Sequence, residues 1–200
     1  MRKAILHLKR ADPVLAEIIG RAGPYRIQYR EPSFQTLVRS IVYQQLSGKA
    51  ASTILNRLIA ATGDPITPET ILKLRPARMR ALGLSKQKLT YIRELARLTR
   101  DGVVQFERLG ELEDHAIIEH LTRVKGVGVW TVHMFLIFAL RRPNVLPTGD
   151  LGVRAAIKKA YGLEALPKPA EMERIAQAWH PYCSVAVWYL WRSLENQGAM

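Results

Sequence analysis

The run Trp130 to Leu140, reading WTVHMFLIFAL, is apolar on nearly every side, and it constrains the fold more than any other feature. A helix that is apolar all round must be wrapped by other elements, and this run is well short of the roughly 20 residues that cross a bilayer. What surrounds it also reads as helix. Phe34, Leu37, Val38 and Ile41 recur at helical spacing, as do Ile54, Leu55, Leu58 and Ile59. Thr67-Pro68-Glu69 reads as a cap, a first-turn proline and an early acid opening a short helix. Leu89, Ile92, Leu95 and Leu98 mark a longer amphipathic helix whose other face holds Lys88, Arg93, Arg97 and Arg100. Further helices are predicted near 151–161 and 170–178 and in the Trp- and Tyr-rich stretch 182–195. Only Tyr25 to Arg30 alternates like a strand, over too short a span for a sheet. The predicted class is all-α, with roughly ten helices.

Charge narrows the function. The 30 Lys and Arg against 17 Asp and Glu leave +13. Residues 1–100 hold 19 basic and 6 acidic side chains, whereas 101–200 hold 11 of each. Such an excess attracts a polyanion, usually nucleic acid; an anionic membrane surface or a heavily solvated exterior would carry the same charge. One cysteine, Cys183, excludes an internal disulfide and any four-cysteine zinc or iron–sulfur site. With no long apolar run and no secretory signal, an intracellular, cytoplasmic protein is expected.

Two motifs carry chemistry. Residues 121–132, LTRVKGVGVWTV, read as a helix end, a Gly126-Val127-Gly128 turn and a new helix. Paired glycines let backbone approach a ligand closely, and the following helix start offers unpaired N–H groups to a phosphate. A bare GxG is also an ordinary helix-capping turn, but the basic first half favours the phosphate grip. Some twenty residues on, LPTGDLGVRAAI places Asp150 just before another helix. Asp is a good N-cap, and the cap reading is compatible with a catalytic one. A helix start favours negative charge, and cleavage of a glycosidic bond develops positive charge on the sugar that a fixed carboxylate stabilises.

A helix-hairpin-helix followed by a Gly/Pro-rich loop and an aspartate resembles the helix-hairpin-helix Gly-Pro-Asp DNA glycosylase superfamily. The likeness is strongest to its alkylation-repair branch, DNA-3-methyladenine glycosylase II. It rests on SIVYQQLSGKAAS at 40–52, GLSKQKLTYIRELA at 83–96, VKGVGVWTVHMFLIFAL at 124–140, VLPTGDLGVRAA at 145–156 and WHPYCSVAVWYLWR at 179–192. The resemblance implies one glycosylase unit over 1–200 with two helical lobes and a cleft between them. Lobe one would span about 33–145, with the helix-hairpin-helix at 115–140, and lobe two 1–32 plus 150–200. Some larger relatives carry a sheet-bearing N-terminal domain; with some 30 residues before the first matching helix, a minimal version without it is expected.

The resemblance also implies roles. Asp150 is the expected catalytic residue. Trp130 stands where bifunctional relatives place a Schiff-base lysine, so excision without strand cleavage is expected. Gln44, Gln45 and Leu46 fall where the family wedges a side chain into the duplex, with Gln45 the first choice. DNA contacts are expected from Lys125, Gly126, Val127, Gly128, Thr131, Thr148, Gly149, Lys49, Lys86 and Lys88. Many relatives carry proline at the position of Lys125. An aromatic pocket for a cationic base would draw on Trp130, Tyr43, Tyr182, Trp188 and Trp191. Trp188 and Trp191, three apart on an apolar helix, form a stripe that is more often core than pocket, and His133 reads as a core histidine or a cleft residue. No cofactor is required. A structural sodium or potassium ion held by the carbonyls of Thr122, Val124 and Val127 is the one ion implied. The expected partner is duplex DNA with a damaged base, bound by a monomer without membrane contact. Glycosylases for a neutral lesion such as hypoxanthine, and non-catalytic DNA-binding modules, share much of this pattern.

Overall fold

A computed structural model describes residues 1–195. Among them the chain forms α-helices and two short 3₁₀ turns and no strand, the all-helical fold that the periodicity predicts. Two helices that no periodicity had suggested come first, α1 (Arg2–Ala11) and α2 (Pro13–Ala22). Their signal lay in Asp12-Pro13: the Asp12 carboxylate accepts from the Val14 and Leu15 amides at 2.9 and 3.1 Å, and proline fills the first helical position. Then follow α3 (Phe34–Tyr43), α4 (Gly48–Thr62), α5 (Pro68–Lys73), α6 (Pro76–Ala81) and α7 (Lys86–Arg100). Ser33, Ser47, Thr67 and Ser85 cap α3, α4, α5 and α7. The last five are α8 (Asp114–Thr122), α9 (Val129–Phe138), α10 (Leu151–Ala160), α11 (Pro169–Ala176) and α12 (Cys183–Glu195). Tyr25 to Arg30 forms no strand.

The chain divides into two compact units, Met1–Tyr29 with Leu136–Met200 and Arg30–Phe135. We call them the terminal and the central unit; the later division falls inside α9. In the central unit α7 packs against α3, α5 and α6, and its Ile92, Leu95 and Ala96 are fully buried. In the terminal unit α12 packs against α2 and α10, and every residue from Cys183 to Leu190 is buried. Burying each large apolar side chain contributes about 1.5–3 kcal/mol, so α12 is the main apolar contributor to its unit. A polar pin accompanies it. Asp12 Oδ2 accepts from the Tyr161 hydroxyl at 2.5 Å and the Trp179 indole at 2.8 Å, tying the start of α2 to the end of α10 and to the chain just after α11.

Folding spreads the charge that the sequence concentrates. The terminal unit holds 14 Lys and Arg against 7 Asp and Glu, the central unit 16 against 10. Both units are basic, because the strongly basic first 29 residues join the second half of the chain.

Candidate active site

Asp150 is the N-cap of α10, and its Oδ1 accepts from the Val153 amide at 2.7 Å. A second donor reaches the same oxygen: the Trp191 indole N–H, 2.9 Å away on α12. The residue is 8 % exposed, so its charge is screened far less than a surface carboxylate's would be. A tight turn delivers it, with the Asp150 amide donating to the Pro147 carbonyl at 2.9 Å. Gly152 completes the arrangement. A Cβ there would stand 3.1 Å from Asp150 Oδ1 and 3.3–3.4 Å from the Trp191 ring, so only glycine lets the indole close on the carboxylate without displacement. Trp191 is held in turn by stacking on Phe138, with centroids 5.7 Å apart and planes 15° from parallel.

The hairpin lies in the central unit. The Val127 amide donates to the Val124 carbonyl at 3.0 Å, and α9 begins as Val132 donates to the Gly128 carbonyl at 3.1 Å. Its two glycines differ. Gly126 has φ +85°, and a Cβ on it would run into the Tyr91 ring, so glycine is required twice over. Gly128 has no positive φ and open space around it, correcting the expectation that both relax the backbone in the same way. Lys125, Gly128 and Val129 are exposed, Gly126 is half-buried and Val127 is buried.

Beside the hairpin, the end of α3 turns sharply. Gln45 has φ +55°, a conformation that costs a non-glycine residue about 1–3 kcal/mol unless its surroundings enforce it. Gln45 and Leu46 are exposed. Gln44 faces inward, its side-chain amide donating to the Gly126 carbonyl at 2.9 Å and lying 3.5 Å from the Thr131 hydroxyl. The Lys88 ammonium donates to the Val42 carbonyl at 2.7 Å and the Gln44 carbonyl at 2.6 Å, and its partial burial lowers its pKa from the ordinary lysine value.

The comparisons fit this geometry. A family model described as HhH-GPD superfamily base excision DNA repair protein matches residues 38–181, which include the Gln44–Gln45 turn, the hairpin and Asp150. The chain belongs to that superfamily. It is 33 % identical to DNA-3-methyladenine glycosylase 1 of Schizosaccharomyces pombe, over 96 % of this chain and 87 % of that protein. It is 30 % identical to the Saccharomyces cerevisiae DNA-3-methyladenine glycosylase, over 97 % of this chain and 80 % of that one. Among solved structures, S. pombe 3-methyladenine DNA glycosylase (Mag1) in complex with abasic DNA superposes with a TM-score of 0.86 at 32 % identity, covering 96 % of this chain and 97 % of that one.

Measured as an HhH-GPD site, the predicted residues fare unequally. Asp150 stands at a helix start as expected, and Trp130 is 46 % exposed in the first turn of α9. That exposure qualifies the prediction of an all-round buried helix, since burial begins only at Thr131. Lys49 and Lys86 are exposed in the first turns of α4 and α7, Gly149 is exposed, and Thr148 is half-buried. Four others make contacts within the fold. Lys88 directs its ammonium to the carbonyls that end α3. Gln44 turns inward and braces the hairpin. Thr131 is 3 % exposed with its hydroxyl beside Gln44. Trp188 is 8 % exposed, packed against Tyr25 and Tyr189 at 4.7 and 4.9 Å, and belongs to the core.

The other aromatic candidates scatter. Tyr43 lies under the Arg39 guanidinium at 4.0 Å, and Tyr182 meets His7 edge-on at 5.4 Å. Trp191 reaches the carboxylate, in the role of a donor. His133 is half-buried, and desolvation lowers its pKa from the usual imidazole value. Cys183 is fully buried, which pushes its thiol up to about 12 and leaves it inert as a nucleophile. Sequence reasoning missed Gly152 and Tyr91. A glycine two residues after the capping aspartate was a visible signal for the first; nothing local marked Tyr91 as the floor of the hairpin.

Proposed function

We propose that this protein is a monofunctional DNA glycosylase of base-excision repair that removes alkylated purines of the 3-methyladenine and 7-methylguanine type. The observation that carries the reading is the Asp150 carboxylate, held at a helix start by the Val153 amide and the Trp191 indole in an HhH-GPD chain. An alkylated ring nitrogen makes the base cationic and a good leaving group. As the bond from C1′ to the base nitrogen breaks, its electron pair leaves with the base and the deoxyribose becomes cationic. Asp150, already oriented, stabilises that cation without reorganising. Water then adds its oxygen to C1′, and Asp150 accepts the proton that it releases. The bonds from the Val153 amide and the Trp191 indole restrict the carboxylate's rotation, so little reorientation is needed as charge develops.

The remaining roles follow chemistry. Trp130, exposed and electron-rich, stacks on the cationic base; it cannot form an imine, so the strand is not cut by β-elimination. Gln45 fills the gap left by the extruded nucleotide. Lys125, Lys49, Lys86 and the hairpin backbone hold phosphates without reading sequence. A sodium or potassium ion on the carbonyls of Thr122, Val124 and Val127 would rigidify the turn. Val124 fits such a role, because its carbonyl accepts one amide and keeps a second lone pair. The protein works as a monomer on duplex DNA inside the cell.

Mass spectrometry of bases released from methylated and deaminated duplex DNA tests the proposal. Release of 3-methyladenine and 7-methylguanine is expected, without nicking. Release of hypoxanthine alone would move the substrate to neutral lesions, and tight binding with no base released would make the chain a DNA-binding module.

A further inference from the structure

Three connections converge on one short turn of the central unit. Lys88, in the first turn of α7, donates to both the Val42 and Gln44 carbonyls, closing the C-terminus of α3 with a cation where the helix dipole is negative. Gln44 then reaches with its side chain to the Gly126 carbonyl, so one residue is gripped through its backbone and grips the hairpin through its amide. Tyr91, one helical turn after Lys88, forms the floor on which Gly126 sits, and Gln87 holds its hydroxyl at 2.5 Å. Gln45, next along the chain, is exposed and left-handed. A left-handed non-glycine residue persists only where its neighbours over-determine it, and Lys88 and Gln44 supply that constraint.

We propose that Lys88 and Gln44 are positioning residues that lock the Gln45 turn to the hairpin, so that insertion into the base stack and the grip on the phosphate occur as one rigid movement. The inference rests on the glycosylase reading above. Its physical content is a cost avoided. Inserting a side chain opposes base stacking worth a few kcal/mol, and a turn free to relax would give way before the stack does. A bare surface lysine would instead contribute to binding through charge alone.

The experiment uses the full chain and a duplex carrying a tetrahydrofuran abasic-site analogue with 2-aminopurine as its neighbour, whose fluorescence rises when it unstacks. The wild type and Asp150→Asn are expected to give the full rise. Lys88→Met and Gln44→Leu are each expected to give a rise about fivefold smaller, with affinity for the same duplex reduced less than about threefold. Lys88→Arg should restore the signal, because a guanidinium can still donate to two carbonyls. A full rise with Lys88→Met overturns the proposal; so does a loss of affinity that matches the loss of signal, which would make Lys88 an ordinary phosphate contact. Should Lys88→Met fail to fold, Gln44→Leu, which leaves both helix caps in place, decides by the same criteria. A wild type that releases no methylated base defeats the glycosylase reading instead, and the two failures are told apart in that way.

Discussion

The starts of α2 and α10 look alike and do different work. Each is capped by an aspartate that is nearly buried, Asp12 at 6 % and Asp150 at 8 % exposure. Each carboxylate accepts from amides of the first turn and from a tryptophan indole of the terminal unit, Trp179 or Trp191. The difference lies in how the donors divide. Asp12 gives Oδ1 to two amides and Oδ2 to Tyr161 and Trp179, and Trp179 is fully buried. At Asp150 the amide and the indole meet on one oxygen, and the flanking Gly149 and Leu151 are exposed, Leu151 at 63 %. The first aspartate is a pin that holds three segments together. The second is a charge presented at the edge of its unit. A capping aspartate alone therefore does not mark a site; its partners and its neighbours' exposure distinguish one cap from another.

Substitution should separate the two most sharply at the carboxylates themselves. Asp150→Asn is expected to cut base excision at least about a hundredfold with little change in melting temperature, the scale of a lost electrostatic stabiliser. Asp12→Asn should do the reverse, lowering stability by about 3 kcal/mol by weakening charge-assisted bonds while each folded molecule excises normally. Single-turnover kinetics beside thermal melts read both, and a large loss of activity in folded Asp12→Asn would erase the distinction.

The indoles sharpen it further. Trp191→Phe keeps the stacking on Phe138 and removes one bond to Asp150, so excision should fall about tenfold. Trp179→Phe should cost about 1–2 kcal/mol of stability and leave excision unchanged.

Gly152→Ala is a subtler probe. A helical Gly→Ala ordinarily stabilises by about 0.5–1 kcal/mol, but here the new methyl pushes on Asp150 Oδ1 and the Trp191 ring. A roughly threefold loss of excision with stability near the wild type is expected; unchanged excision would show that the carboxylate tolerates displacement.

The smallest effect concerns pH. Burial and the Asp12 carboxylate raise the Tyr161 pKa above the usual tyrosine value. A group whose pKa is raised on folding contributes stability that is complete below its unfolded pKa, about 10 for tyrosine, and lost as pH climbs beyond it. The Asp12 pin should therefore weaken above about pH 10, and Tyr161→Phe should flatten that alkaline decline in melting temperature. The amide and indole that hold Asp150 do not titrate in this range.

Much of this arrangement was legible in the chain and some was not, for reasons that differ by residue. Asp150 was readable because a cap is local: a carboxylate three residues ahead of an amide needs no distant partner. The hairpin was readable for the same reason, and the caps of α3, α4, α5 and α7 are all Ser or Thr one residue ahead of their helices. The partners of Lys88 are not legible in its sequence context, a helix start with Lys86 beside it, because the carbonyls that claim it lie more than forty residues away. Gln44 and Gln45 are adjacent and chemically identical, and only the backbone turn between them sends one inward and the other out.

By itself, then, the sequence determined the helical class, most helix positions, the hairpin, the loop aspartate and the basic character, because periodicity, capping and charge act over a few residues or over the whole composition. Tertiary structure decided which of two capping aspartates is a pin, which glycine needs its missing side chain, which tryptophan donates to the carboxylate and which lysine is spent inside the fold. Those outcomes turn on hydrogen bonds and close packing between segments far apart in the chain, and such contacts exist only once the helices have packed.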